Sequence, residues 1–257
     1  VASPPLYVYA VVNAGLALPP GLRGVGRPPV PVRLLPAGEL AAVVSDVPPG
    51  LRARRRDLTG HQDLLMALCA AAPVLPMRFG MVADGAETVR RALDAAAPAH
   101  LATLERLDRR TEMNLKAMPA QDGVADLVRD DPAVRRLAAD VRRRPSYEGN
   151  VRLGSAIAEG LARRAAQAAD GVAQELAVLA DERVQGAEVP GCVLNTSYLL
   201  PRAHAERCRE LVDRRAAELR DRVELRLTGP LPCYSFVPVE GSRVAAGAAP
   251  RPAVVRS

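Results

Sequence analysis

The stretch from Tyr147 to Leu179 constrains the fold of this chain more than any other. Tyr147, Val151, Gly154, Ile157, Leu161, Ala165, Ala168, Val172, Leu176 and Leu179 recur every three or four positions, the mark of one long α-helix with a narrow apolar seam. Pro145-Ser146 starts this helix. It is expected to run to about Arg183, roughly 55 Å at 1.5 Å per residue. Such a seam needs a partner. Just upstream, Asp131-Pro132 pairs an N-cap with proline at the first helical position and predicts a helix to Arg144. The two helices are expected to form an antiparallel hairpin over about residues 121–183 that projects from the body, its alanines permitting close approach. Self-association through the long helix, with the seam partner on a second chain, is the rival reading.

Strand-like segments flank this region. Leu6-Tyr7-Val8-Tyr9-Ala10-Val11-Val12 is rich in β-formers, and Glu39–Val47 reads as a second strand closed by Pro48-Pro49-Gly50. The Pro/Gly-rich connection between them, Pro19 to Pro36, holds at most a short edge strand at Val30–Leu35. A helix over Arg54–Ala72 carries His61, Leu64, Leu65, Leu68 and Ala71 on one face, and Pro73–Gly80 after it is extended. Asp84, with Glu87 three residues on, predicts the cap of the next helix. Thr111–Met118 reads as a strand. Gly191–Leu200, Pro201–Arg220 and Val223–Leu227 then read strand, helix, strand. The fold class is α+β: a ferredoxin-like N-terminal domain over 1–108 and a helix-rich α+β C-terminal domain over 109–238 with the long helical hairpin. Residues 239–257, Gly, Ala, Pro and Arg with little to bury, are expected to be a disordered tail.

Composition narrows the function. No apolar stretch approaches the ~20 residues of a membrane span, and the N-terminus lacks a basic-then-apolar leader, so a cytoplasmic protein is expected. The net charge of +6 invites nucleic acid, yet Lys116 is the one lysine and the arginines alternate with acids, as in Arg214–Asp221. The single-sign stripe with stacking aromatics that single-strand binding requires is missing. Cys69, Cys192, Cys208 and Cys233 form no Cys-x-x-Cys pair and read as buried free thiols. His61, His100 and His204 are too dispersed for a local metal motif, Gly21–Gly26 lacks the Lys-Ser/Thr of a phosphate loop, and Ser155 lacks a Gly-x-Ser-x-Gly frame. No cofactor and no catalytic constellation is expected. Arg78, between Met77 and Phe79, reads either as the outward residue of an alternating strand or as a contact to a carboxylate on a partner or on the other domain.

Two Pro-framed segments carry a resemblance. Pro73-Val74-Leu75-Pro76-Met77-Arg78-Phe79-Gly80, after a helix bearing His61, resembles the gas vesicle GvpL/GvpF family. Leu227-Thr228-Gly229-Pro230-Leu231-Pro232-Cys233-Tyr234-Ser235-Phe236-Val237 looks like that family's closing motif. Tyr7–Ala10, Leu40–Ser45 and Asn195–Arg202 fall in the family's order, so the likeness spans Leu6 to Val237. Leu231 and Cys233 depart from the usual aromatic and proline of the closing motif. The resemblance implies a non-enzymatic accessory protein of gas vesicle assembly, a chaperone or nucleation factor located at the gas vesicle. It would bind the hydrophobic shell protein GvpA and other accessory proteins; a minor structural component of the vesicle is the alternative. Arg78, Phe79, Tyr198, Tyr234 and Phe236 are the residues it offers as partner contacts.

Overall fold

Seven consecutive buried residues, Leu6 to Val12, form most of the first strand, β1 (Leu6–Asn13), and a strand buried on both faces must lie in the middle of a layered unit. The structure, a computed structural model, describes residues 4–238. They form two compact units, one running to Arg110 and resuming at Leu231, the other spanning Thr111–Pro230. In the first, β1 is followed by β2 (Arg33–Ala37), β3 (Leu40–Asp46), α1 (Arg55–Ala71), β4 (Leu75–Pro76), β5 (Val82–Ala83) and α2 (Ala86–Leu107). The sheet order is β2-β3-β1-β4, with β5 also beside β1. Every described pairing in this sheet is antiparallel. β2 and β3 are joined through Gly38-Glu39, with Gly38 at φ 57, the positive value a two-residue hairpin turn requires at its first position.

Tyr7, Tyr9 and Val12 point into a cluster closed by Leu64, Leu65 and Leu68 of α1 and by Leu16, Leu18, Leu22 and Val25 of the β1–β2 connection. α2 lies along β1, β2 and β3 and adds the buried Val89, Leu93, Leu104 and Leu107. The chain thus makes a β–crossover–β–β–α–β series with strand order 2-3-1-4, the order of a ferredoxin-like plait. Residues 14–32 replace its first helix with an irregular crossover.

The second unit contains β6 (Arg110–Pro119), α3 (Val124–Asp130), α4 (Pro132–Arg143), α5 (Tyr147–Ala177), β7 (Glu182–Gln185), β8 (Leu194–Pro201), α6 (Ala205–Glu218) and β9 (Val223–Leu231). Its sheet order is β7-β8-β6-β9, again 2-3-1-4 in chain order. Here the first crossover is three helices. Val172, Leu176 and Leu179 pack with Met113, Leu115, Tyr198 and Leu200 of the sheet and with Cys208 and Val212 of α6. Ala165 and Ala169 meet Ala117 and Val223. Glu175 receives a forked pair of hydrogen bonds from Arg215, at 3.2 and 2.6 Å, tying α5 to α6.

Several local expectations change. Asp131 does cap α4, its Oδ1 accepting from Ala133 N–H at 2.9 Å and Val134 N–H at 3.2 Å, and Ser146 caps α5. Asp84 is not a cap: α2 starts from Gly85 at φ 95, with no side-chain cap, and runs unbroken through Pro98. The long helix ends at Ala177 rather than near Arg183, because Glu182–Gln185 gains ladder bonds to Thr196–Leu199 as β7. Its seam also changes partner part-way. Leu161 meets Leu127 and Val134 in a small cluster with α3 and α4, whereas the later seam residues pack on the sheet. The four cysteines form no disulfide; Cys208 and Cys233 are buried as expected, whereas Cys69 and Cys192 are half-buried. The tail over 239–257 lies outside the described residues.

Two glycines give opposite expectations for the same substitution. Gly123 precedes α3 with ordinary negative φ, but a Cβ there would stand 2.5 Å from the Asp221 carbonyl oxygen. Gly154 lies in α5 with nothing within 4 Å of the Cβ position. Gly154→Ala should raise stability by about 0.5–1 kcal/mol. Gly123→Ala should lower it by about 1–3 kcal/mol, since backbone must shift. Urea unfolding of both variants checks the pair.

Candidate partner-binding site

The site grows from a segment that cannot hold its own place in the sheet. Pro73 and Pro76 lack N–H groups, and β4 is two residues long. Backbone bonds from Met77 N–H to Tyr9 O and from Val8 N–H to Met81 O, both 2.9 Å, are the nearby attachments to β1. The rest comes from α1. His61, buried, has Nε2 3.0 Å from the Met77 carbonyl oxygen and Nδ1 3.0 Å from the Tyr7 hydroxyl. A carbonyl can only accept, so Nε2 carries the proton and the Tyr7 O–H donates to Nδ1. The Tyr7 oxygen in turn accepts from Gly80 N–H at 3.0 Å. Both ends of this relay therefore grip Met77–Gly80.

Burial pushes the His61 pKa below its ordinary value, opposed by the bond to Met77, and pushes the Tyr7 hydroxyl up. Phe79 sits edge-on to both Tyr7 and His61, with ring centroids 6.0 and 5.8 Å apart. Tyr9 organises a second relay: its hydroxyl accepts from Val25 N–H at 2.9 Å and bonds Ser45 Oγ at 3.0 Å, and Ser45 donates to Asp46 O. A Cβ at Gly24 would lie 2.4 Å from the Tyr9 hydroxyl, so this crossover needs glycine there.

Above the relay is a groove of about 650 Å³. Leu58, Gln62 and Asp63 of α1 form one side, and Arg78, Phe79 and Tyr234 form the other. Leu58 is 43% exposed, Arg78 is exposed and Phe79 and Tyr234 are half-buried. The groove can take an apolar side chain flanked by charge of either sign, with Arg78 for a carboxylate and Asp63 for a base. Among the described residues no group of three or more His, Cys, Asp or Glu side chains could hold a metal ion. No helix among them is long and apolar enough to cross a membrane.

Of the five residues proposed from sequence, the fold brings three together here. Arg78 is exposed and Met77 buried, but β4 ends at Pro76 and Val74 to Met77 are buried in succession, so the alternating strand expected at Arg78 is not formed. Tyr234 arrives because the chain returns to the first unit at Leu231 and packs its ring against the Tyr7/Tyr9 cluster. Phe236 is buried, and its carbonyl accepts from Arg106 Nη2. It anchors the returning segment rather than facing solvent. Tyr198 lies elsewhere, fully buried in the core of the second unit with its hydroxyl pushed up to about 12 by burial. It presents no surface to a partner. Sequence reasoning missed Leu58, whose signal was its spacing three residues before His61, extending the apolar stripe beyond the sheet. It also missed the tyrosine relays: Tyr7 and Tyr9 share a face, and two buried hydroxyls each need a partner.

Comparison with known proteins matches residues 5–238 to the family model described as gas vesicle synthesis protein GvpL/GvpF. The chain belongs to the GvpL/GvpF family. It is 35% identical over 235 residues to gas vesicle protein F of Streptomyces sp. (strain CB03234), covering 90% of this chain and 98% of that one. It is also 35% identical, over 256 residues, to gas vesicle protein L of the same organism, covering 90% and 91%. The crystal structure of GvpF from Anabaena sp. PCC7120 superposes with a TM-score of 0.72 at 22% identity, covering 92% of this chain and 99% of that one. That from Microcystis aeruginosa gives 0.72 at 20% identity, covering 91% and 99%. These structural matches establish the shared α+β fold.

The His61 relay makes a pH prediction. Because the folded pKa is depressed, the unfolded chain takes up the proton first. The stability from neutral His61 is full above about pH 6.5, the ordinary histidine value. It declines as pH falls below that, and levels off once folded His61 itself protonates. Melting followed by circular dichroism should show Tm falling from about pH 7 to about pH 5, with a flatter profile in His61→Gln. Tyr7→Phe should cost about 1–3 kcal/mol by leaving Nδ1 and the Gly80 N–H unpaired.

Proposed function

We propose that this protein is a non-enzymatic assembly factor of gas vesicles, a chaperone or nucleation factor that binds the hydrophobic shell protein GvpA and other accessory proteins in the cytoplasm and at the vesicle. The observation that carries the reading is the groove of Leu58, Arg78, Phe79 and Tyr234, held open over a fully hydrogen-bonded base. A very hydrophobic shell subunit in solution exposes apolar side chains and strand edges that aggregate unless covered. A groove with an aromatic floor and charged rim covers such a side chain without committing the subunit permanently.

A structural component self-associating through its long helix draws less support. Leu161, Ala165, Val172 and Leu176 of the seam are already buried within their own unit, which leaves its first turns, with Tyr147 and Val151, as the exposed part of the seam.

Co-expression with the shell protein tests the proposal. The soluble fraction of the shell protein should rise, and the two should co-purify. Arg78→Glu and Leu58→Ser, both at exposed positions, should weaken capture by about fivefold or more with Tm unchanged. Absence of any association with the parent protein would sink the assembly-factor reading. Full capture by both variants would instead remove this groove as the contact.

A further inference from the structure

Half of α5 has no role in closing its sheet. Ala165 to Leu176 cover the strands, whereas the first half of the helix packs with α3 and α4 around Leu127, Val134 and Leu161. One helix suffices for this crossover, so α4 and the start of α5 form an outgrowth with its own small core. Ordering it costs backbone entropy that a minor cluster repays poorly, which points to a use for the surface it creates.

That surface is distinctive in charge. Residues 132–152 hold six arginines against Asp140 and Glu148, a net +4 in a chain whose total is +6. Arg143 pairs with Asp140, and Arg135 and Arg136 donate to the carbonyls of Arg129 and Pro132. Arg142, Arg144 and Arg152 make no side-chain hydrogen bond or ion pair among the described residues. At the tip, a cleft of about 740 Å³ sets Leu137 and Val141 among Arg143, Arg144 and Arg152. Tyr147, 87% exposed, and Val151, 49%, lie one helical turn apart on another face of α5, outside the cleft lining. Gly149 lets α5 approach Val141, since a Cβ there would meet its Cγ2 at 3.3 Å.

Exposed arginines around a cleft with Leu137 and Val141 in its wall have the make-up of a protein-binding hot spot. Guanidinium forks select carboxylates. A phosphate backbone would lay evenly spaced charge over the whole tip, Asp140 and Glu148 included. A peptide can interleave carboxylates with an apolar residue that enters the cleft, and the mixed character of the tip favours it. We propose that the tip of the α4–α5 hairpin docks an acidic, amphipathic peptide segment of a partner protein. Its carboxylates meet Arg144 and Arg152, and an apolar side chain lodges against Leu137 and Val141. This surface belongs to the second unit, and the groove to the first.

Fluorescence anisotropy with the full chain and a labelled helical Glu/Leu repeat peptide tests this. The peptide should bind at low salt and weaken as salt rises. The triple variant Arg143→Ser, Arg144→Ser, Arg152→Ser, which removes the three arginines that line the cleft, should lose at least about tenfold in affinity. A control pair on α6, Arg207→Ser with Arg214→Ser, should bind as the parent does, and circular dichroism should show every variant folded. No binding at low salt overturns the proposal, as does a triple variant no weaker than the α6 control. A random duplex oligonucleotide that binds tighter than the peptide, and is lost in the triple variant, would make the tip a nucleic-acid site instead and equally overturn it.

Discussion

The hydrogen bond from Tyr7 to a neutral His61 is the constraint on which the site in the first unit depends. A proline-framed segment can contribute few ladder bonds, because Pro73 and Pro76 have no N–H to give. Side chains therefore do what the ladder cannot: His61 fixes the Met77 carbonyl and Tyr7 fixes the Gly80 N–H. Arg78 and Phe79 lie between these two anchors, so their placement over the groove is inherited from a buried network. Each atom in that network is satisfied only while His61 is neutral. Protonation would turn Nδ1 into a donor facing a hydroxyl that already accepts from Gly80, and burial disfavours the charge as well.

Tyr9 does a parallel job one pleat away. The β1–β2 crossover, with prolines at 19, 20, 28, 29 and 31, cannot become a helix and packs irregularly on the sheet. Its Val25 N–H is satisfied by the Tyr9 hydroxyl, which passes the chain of bonds to Ser45. The register slips in β1 between Val8 and Ala10, leaving Tyr9 as the extra residue of a bulge. Two adjacent tyrosines thus each tether one proline-rich segment to the central strand. The second unit reaches the same strand order with no such device, because its crossover is helical and satisfies its own backbone. The contrast explains how a sheet with so few aromatic residues spends two of them side by side on β1.

What was legible in the sequence follows from how local each signal is. The caps at Asp131 and Ser146, the stripe of α1 and the buried strand β1 are decided by neighbours a few residues apart, and the fold agrees with them. The end of α5 was not legible, because Glu-Arg-Val-Gln is helix-compatible and becomes β7 only when β8 offers it a partner. The change of seam partner has the same origin: periodicity shows that a face is buried, not what buries it. At the site, Arg78 could be read as the charged residue of an apolar segment, although the alternating strand expected there stops at Pro76. Tyr234 could be placed with it only by knowing that the chain returns to the first unit after Pro230. Tyr198 shows the converse, since a tyrosine in an apolar strand looks the same from sequence whether its hydroxyl meets solvent or, as here, lies 3.5 Å from the Ala173 carbonyl.

The form of the groove bears on what an assembly factor must do. A preorganised surface binds without first ordering its own side chains, so more of the contact energy appears as affinity. Yet a groove bounded by Leu58, Phe79 and Tyr234 has room for one or two apolar side chains, worth about 1.5–3 kcal/mol each when fully buried. If the proposed partner is a shell subunit, a contact of that size would hold it back from aggregation without competing with its burial in a growing shell. On the proposed reading, the rigidity set by His61 gives capture and the small size of the groove gives release. On the same reading, enlarging the apolar floor would tighten binding at the expense of hand-over, so the half-exposure of Leu58 and Phe79 would matter as much as their hydrophobicity.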